Sequence, residues 1–128
     1  MSADRTTPIL IVDDNPHTVQ IMRTILTALG FTHLEEARSG QEALPMIQGG
    51  AFGLVLSDWH MKPMSGLDLL KTVRAEARTQ DLPFVLVTAE TGHLRVDEAV
   101  LARASRYLIK PFTLASLKAV LVALLGEL

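Results

Sequence analysis

Short apolar runs alternate with amphipathic segments along the chain. The runs contain many β-branched residues and no polar alternation, which is typical of strands buried on both faces of a sheet. They cover residues 9–12, 54–56, 84–87 and 107–109, and a weaker run lies at 33–37. The pattern therefore predicts five strands.

Helical periodicity fills the segments between the predicted strands. In the first segment, Val19, Met22 and Leu26 recur at helical spacing. Asn15 is a good N-cap residue, and Gly30 is a common helix terminator. We therefore predict a first helix between these two residues.

Four more helices follow along the chain. Ser39 and Ser65 are the predicted N-caps of the second and third helices, and the fifth helix is predicted to start after Thr113. Pro45 lies inside the second helix and predicts a kink or a short helix, because it lacks an N–H group. The fourth helix is predicted over about 92–102.

Five strands alternating with five helices predict an α/β fold, a (βα)₅ doubly wound parallel sheet with right-handed crossovers. The chain has 128 residues, of which 48% are hydrophobic and 20% charged, so we expect one globular domain over 1–128 with its core at about 8–125. In such sheets ligands bind beyond the carboxyl ends of the strands.

Composition excludes several classes of function. The net charge of −2 argues against DNA as a partner, and the absence of cysteine excludes disulfides and thiolate metal sites. Residues 1–8 lack the apolar segment of a secretory signal, and no apolar run approaches the ~20 residues of a membrane span. We expect a cytoplasmic protein without a membrane partner.

Polar side chains follow four of the predicted strands. Asp13 and Asp14 follow the first, Asp58 the third, Thr88 the fourth and Lys110 the fifth. Three neighbouring carboxylates repel one another unless a cation neutralises them, and an all-oxygen donor set favours Mg²⁺. A metal ion, an ammonium and a hydroxyl together suit a phosphoryl group, and an aspartate can accept it as an acyl phosphate.

Each of these features also has a simpler interpretation. An Asp-Asp pair after a strand is usually a turn or a helix cap, a Lys-Pro pair is usually a loop, and a terminal threonine is usually solvated. Their joint occurrence at the same ends of different strands favours the phosphoryl site.

The chain resembles the CheY-like family of response-regulator receiver domains. The similar segments are residues 11–15, 56–61, 64–70, 87–90 and 107–112, and 57–59 and 88–90 are similar to the chemotaxis branch. The resemblance implies a flavodoxin-like sheet with strand order 2-1-3-4-5.

The resemblance also implies roles for individual residues. Asp58 resembles the phosphoacceptor, Asp14 and Asp58 the direct Mg²⁺ ligands, and Asp13 an acidic residue that acts through water. A further ligand is the backbone carbonyl of His60. The His60 side chain has two open interpretations, beside the phosphoryl group or facing solvent.

Later in the chain, one residue resembles the lysine of the family and two others resemble its switch pair. Lys110 resembles the lysine that pairs with phosphoryl oxygens, and the bond to Pro111 is expected to be cis. Thr88 and Tyr107 resemble the pair that repacks on phosphorylation. Repacking would alter the output face, which we define as the fourth predicted helix, the fifth strand and the fifth helix.

Two segments depart from the family pattern. The proline after the phosphoacceptor, Pro63, lies one place later than usual and follows Lys62. The turn before the fifth strand lacks the usual glycine, and Arg95, Arg103 and Arg106 add positive charge nearby. These arginines are either solvated or form a partner face for an acidic protein or a cyclic dinucleotide.

We therefore expect a single-domain response regulator rather than a metabolic enzyme, although it assists its own aspartyl phosphorylation and dephosphorylation. A histidine kinase or phosphotransfer protein would phosphorylate Asp58, and the output partner would be a protein, with the flagellar motor switch as leading candidate. The domain would be a monomer or a weak dimer through the output face.

Three alternatives differ in testable ways. A phosphorelay shuttle or phosphate sink would use Asp58 without the output face and return the phosphoryl group to a histidine. An arginine-face adaptor would bind its ligand with Asp58 replaced. A haloacid-dehalogenase-like phosphatase usually has Asp-x-Asp after the first strand, whereas the pair here is adjacent.

Overall fold

The computed structural model describes residues 3–89 and 103–128. Its strands are β1 (Ile9–Val12), β2 (Leu34–Ala37), β3 (Leu54–Asp58), β4 (Phe84–Ala89) and β5 (Arg106–Lys110). All neighbouring strands are parallel, in the order β2-β1-β3-β4-β5. The predicted fold class and strand order are confirmed.

Four helices lie in the described part of the chain: α1 (Pro16–Ala28), α2 (Gly40–Gln48), α3 (Gly66–Ala75) and α4 (Leu114–Leu125). Helix α4 is the C-terminal helix, the fifth in the predicted series. The fourth predicted helix, at about 92–102, lies outside the described residues. None of the four helices is long and apolar enough to cross a membrane.

The predicted caps form at the helix starts. Asn15 Oδ1 accepts from the His17 N–H at 2.9 Å, and Gly30 adopts a φ of 99° just beyond the end of α1. Ser65 forms a reciprocal capping box with Asp68 at the start of α3. Ser39 caps α2, a helix of only nine residues that contains Pro45, in agreement with the predicted short helix.

Strands β1 and β3 are buried throughout, and β4 is buried except at its last residue. One side of the sheet packs against α2 and α3, where Leu10, Val55 and Leu70 belong to one apolar cluster. The opposite side packs against α1 and α4 through a second cluster that includes Ile11 and Leu121. The two layers fix the positions of the central strands.

Strand β5 differs from the prediction. The run 107–109 was expected to be buried on both faces, and this prediction was wrong: Tyr107 is 36% exposed and Ile109 41% exposed. The physical reason is position, because β5 is the last strand of the sheet and pairs with β4 alone. Only Leu108 points into the core.

The turn before β5 is held by two arginines. Arg103 has a φ of 64°, the left-handed conformation that glycine adopts without strain. Its Nη2 donates to the Arg74 carbonyl at 3.1 Å, while Arg74 Nε donates to the Arg103 carbonyl at 3.0 Å. Burial, together with the charge of Arg103, lowers the pKa of Arg74. These reciprocal bonds help hold the strained turn.

Replacement of Arg103 should separate backbone strain from the guanidinium contact. Arg103→Ala and Arg103→Gly both lose the bond to Arg74, but only glycine relieves the left-handed strain. After allowing for the greater unfolded-state entropy of glycine, we expect the glycine variant to be more stable than the alanine variant by about 0.5–1 kcal/mol. Urea unfolding would measure the difference, and equal stabilities would contradict the argument.

Candidate functional site

The carboxyl ends of β1 and β3 bring three aspartates together. Val12 pairs with Ser57 in the sheet, so the residues that follow, Asp13 and Asp58, lie side by side. One carboxylate oxygen each from Asp13, Asp14 and Asp58 lie within 4.8 Å of one another. Asp13 and Asp58 are buried and Asp14 is exposed, so the cluster opens to solvent on one side.

Both oxygens of Asp13 have partners. Its Oδ1 accepts from the Asn15 N–H at 2.9 Å, and its Oδ2 accepts from Lys110 Nζ at 3.4 Å. The Asp13 N–H donates to the Ala37 carbonyl at 3.0 Å, which ties the end of β1 to β2. Asp13 is therefore fixed by both its main chain and its side chain.

Lys110 reaches the cluster from the far strand of the sheet. Its Nζ lies 3.2 Å from Asp58 Oδ1 and 3.4 Å from Asp13 Oδ2. The Lys110–Pro111 peptide bond is cis, as the resemblance implied. The site thus joins one ammonium with three carboxylates.

The charges do not balance within this group. Burial raises the pKa of Asp58, the charge of Asp13 raises it further, and Lys110 opposes both effects. A divalent cation would neutralise the remaining charge, and the all-oxygen donors suit a hard ion such as Mg²⁺. The residues present therefore fit the metal that the sequence predicted.

Thr88 and Tyr107 lie on neighbouring strands. Thr88 pairs with Ile109, and Tyr107 pairs with Leu86, so both side chains project from the same face of the sheet, two rows apart. Thr88 is buried at the end of β4, and Tyr107 is partly exposed on β5. The arrangement places Thr88 near the carboxyl end of β4, the strand next to the one that carries Asp58, and the Tyr107 ring further down the face that Thr88 shares.

His60 follows the cluster in the loop between β3 and α3. Its side chain is exposed, and its ring stacks on Trp59 with 6.4 Å between centroids and 27° between planes. Asp14, His60 and Lys62 line one groove beside this loop. The Lys62–Pro63 peptide bond is cis, a feature that the sequence reasoning did not predict.

The comparisons with known proteins agree with this geometry. The family model for the response regulator receiver domain matches residues 9–122. The chain belongs to this family. It is 44% identical to chemotaxis protein CheY-3 of Vibrio cholerae over 110 residues, which cover 86% of this chain and 85% of the relative. It is also 44% identical to chemotaxis protein CheY of Pseudomonas aeruginosa, over 86% of this chain and 89% of that one.

A solved structure supports the same assignment. The chemotaxis response regulator CheY4 of Vibrio cholerae superposes with a TM-score of 0.85 and is 30% identical, covering 94% of this chain and 99% of the other. Receiver domains of this kind serve in phosphorylation-activated response regulators, and the acidic cluster lies where the doubly wound sheet binds ligands.

Two of the three arginines that the sequence analysis singled out, Arg103 and Arg106, lie in the described part of this receiver domain. Arg103 and Arg106 are exposed, but the Arg103 guanidinium donates to the Arg74 carbonyl, which gives it a structural contact. Arg95 lies outside the described residues. A role for these residues in binding a partner stays a prediction.

The sequence reasoning assigned no role to Ser57. This residue is fully buried, and its Oγ donates to the main-chain carbonyl of Asp58 at 3.0 Å. A serine inside an otherwise apolar strand was the available signal, since a buried hydroxyl needs a hydrogen-bond partner. Ser57 thus helps to hold the main chain of Asp58 in place.

Asp58→Asn should stabilise the metal-free receiver domain at pH 7, because the raised pKa means that ionised Asp58 opposes folding. The folded state binds this proton more tightly than the unfolded state does. The gain should therefore shrink as the pH falls and the carboxyl group becomes protonated in both states.

Urea unfolding in EDTA at pH 7 and at pH 4 would measure this difference. Glu35→Gln, which removes an exposed carboxylate on β2, should have little effect at either pH. A variant Asp58→Asn no more stable than wild type at pH 7 would contradict the electrostatic argument.

Proposed function

We propose that this receiver domain acts as a phosphorylation-activated response regulator and accepts a phosphoryl group on Asp58. The observation that carries the proposal is the cluster of three aspartates with Lys110 Nζ 3.2 Å from Asp58 Oδ1, at the carboxyl edge of the sheet. The 44% identity to chemotaxis CheY proteins supports the same function.

Asp58 is the nucleophile in this proposal. A carboxylate oxygen of Asp58 forms a bond to phosphorus while the bond between phosphorus and the donor's imidazole nitrogen breaks. The electron pair stays with the imidazole, and the product is an acyl phosphate. Hydrolysis of this acyl phosphate later restores the carboxylate.

Asp14, Asp58 and the His60 carbonyl would hold Mg²⁺, with Asp13 acting through water. The ion supplies neutralisation of the phosphoryl oxygens when bound. Asp13 also orients the site through its bonds to Asn15 and Lys110.

Lys110 and Thr88 act on the phosphoryl oxygens. The ammonium is held against Asp58 and Asp13, so it would meet the oxygens as charge develops on them. The buried Thr88 hydroxyl would donate to the same group. Its movement toward the phosphoryl group leaves space on the sheet face that it shares with Tyr107. The Tyr107 ring, which is partly exposed in this structure, then turns inward.

The output partner would read this change on the output face. Tyr107 and Ile109 of β5 and Leu114 and Val122 of α4 are exposed there, which suits a protein partner or weak self-association. The resemblance to the chemotaxis branch makes the flagellar motor switch the leading candidate for the partner, and the similarity to proteins named chemotaxis proteins supports a role in chemotaxis. The phosphodonor would be a cytoplasmic histidine kinase or a phosphotransfer protein.

Trp59 offers a direct test of metal and phosphoryl binding, because it is the only tryptophan and follows Asp58. Its fluorescence should change saturably with Mg²⁺ and again with beryllofluoride, a phosphoryl mimic. Both changes should be lost or strongly reduced in Asp58→Asn. Absence of both responses in the wild type, together with no Mg²⁺ binding by calorimetry, would refute the proposal.

Lys110→Met should separate metal binding from phosphoryl chemistry. The rate of Asp58 phosphorylation by phosphoramidate, followed by mass spectrometry, should fall on the order of 100-fold. The affinity for Mg²⁺ should not fall, because the variant removes a positive charge beside the carboxylates.

Lys118→Met removes an exposed lysine on α4 and provides the control. It should leave both quantities near those of the wild type. A Lys110→Met protein that is phosphorylated at the wild-type rate would remove Lys110 from the proposed mechanism.

A further inference from the structure

The two ends of the loop at residues 59–65 lie close together and are joined by a hydrogen bond. The Gly66 N–H, at the start of α3, donates to the Trp59 carbonyl at 2.9 Å. This closure lies directly against the phosphoacceptor strand. A Cβ built on Gly66 would lie 2.0 Å from the Asp58 carbonyl oxygen, 2.9 Å from its carbonyl carbon and 3.0 Å from Ser57 Oγ.

Neither side of this contact can easily move. Strand β3 lies between β1 and β4, and the Trp59 N–H donates to the Val87 carbonyl at 2.9 Å. Helix α3 is anchored by its buried apolar side chains, Leu67, Leu69, Leu70 and Val73. A side chain at position 66 would therefore push two well-packed elements apart by about 1 Å or more.

Backbone conformation does not explain a glycine here. Gly66 is the first residue of a helix and is not among the glycines with positive φ, which are Gly30, Gly50 and Gly126. Glycine is also a poor helix former. Gly66 is needed here because it has no Cβ, and this absence allows α3 to contact the main chain of Asp58.

We propose that Gly66, together with Ser57, is a positioning residue for the phosphoacceptor. Gly66 sets how closely α3 approaches the Asp58 carbonyl, and the Ser57 hydroxyl, which also lies next to Gly66, donates a hydrogen bond to that carbonyl. This placement fixes the Asp58 carboxylate relative to Lys110 and also fixes the ends of the loop that contains the His60 carbonyl. The inference rests on the proposed function of Asp58.

Gly66→Ala and Gly40→Ala form a matched pair for the test. Gly40 is also the buried first residue of a helix, and it too follows a serine N-cap. The three atoms nearest to a Cβ on Gly40 all belong to the side chain of Met64, at 2.8–3.2 Å, and an unbranched methionine can adjust. The two variants thus add the same methyl group against a main chain and against a side chain.

Three readouts separate positioning from stability. Circular dichroism gives the folded fraction, Trp59 fluorescence gives the Mg²⁺ affinity, and mass spectrometry gives the rate of Asp58 phosphorylation by phosphoramidate at saturating Mg²⁺. We expect Gly66→Ala to lower this rate per folded molecule on the order of 100-fold, because a displacement of about 1 Å has an effect of that size. Gly40→Ala should stay within about threefold of the wild type.

A Gly66→Ala protein that loses only stability, with a wild-type rate and Mg²⁺ affinity in the folded fraction, would overturn the inference. Failure of the proposed function gives a different result, because the wild type itself would then remain unmodified. In that case the Mg²⁺ affinities of the two variants still decide whether Gly66 positions the aspartates.

Ser57→Ala decides the question if Gly66→Ala does not fold. It removes only the hydroxyl that donates to the Asp58 carbonyl. A folded Ser57→Ala protein with a phosphorylation rate reduced about tenfold would support positioning through the main chain. A folded variant with wild-type rate and metal affinity would overturn it.

Discussion

The central constraint of this structure is that the parallel sheet holds three carboxylates close together. The register of β1 against β3 places Asp13 beside Asp58, and neither can separate without breaking the central ladder. Lys110 offsets part of the repulsion, yet the pKa of Asp58 remains raised by burial and by Asp13. The fold therefore holds an arrangement that is unfavourable by itself and that a bound cation would stabilise.

The stability that sustains this arrangement comes from the centre of the sheet. Strands β1, β3 and β4 are mostly apolar and are buried between two helical layers. The aspartates thus lie at the carboxyl ends of the most constrained strands, whereas Lys110 comes from β5 at the edge, through a long side chain with several rotatable bonds. The site combines fixed negative groups with an adjustable positive group, which suits a reaction in which charge moves onto incoming oxygens.

Much of the fold and of the site could be predicted because local patterns specify it. Apolar runs defined β1, β3 and β4, Asn15 and Ser65 marked helix starts, and the strand ends identified the acidic cluster. The failures concern tertiary context. The apolar run at 107–109 does not reveal that β5 lies at the edge of the sheet, where Tyr107 is partly exposed. Nothing near Arg103 in the sequence indicates that Arg74 forms hydrogen bonds with it and supports its strained turn.

The contact between Gly66 and the main chain of Asp58 shows why tertiary contacts are hard to predict from the sequence. Ser65 was assigned as a helix cap, and this assignment is correct, yet the adjacent Gly66 acts on a strand that ends eight residues earlier. The capping box fixes where α3 begins, and the close approach at Gly66 fixes where that beginning lies against β3. A local signal thus sets the start of the helix, while the absence of a side chain at Gly66 sets the distance between the helix and the main chain of Asp58. In the proposed phosphorylation of Asp58, main-chain packing at Gly66 would therefore act alongside the charged residues around the carboxylate.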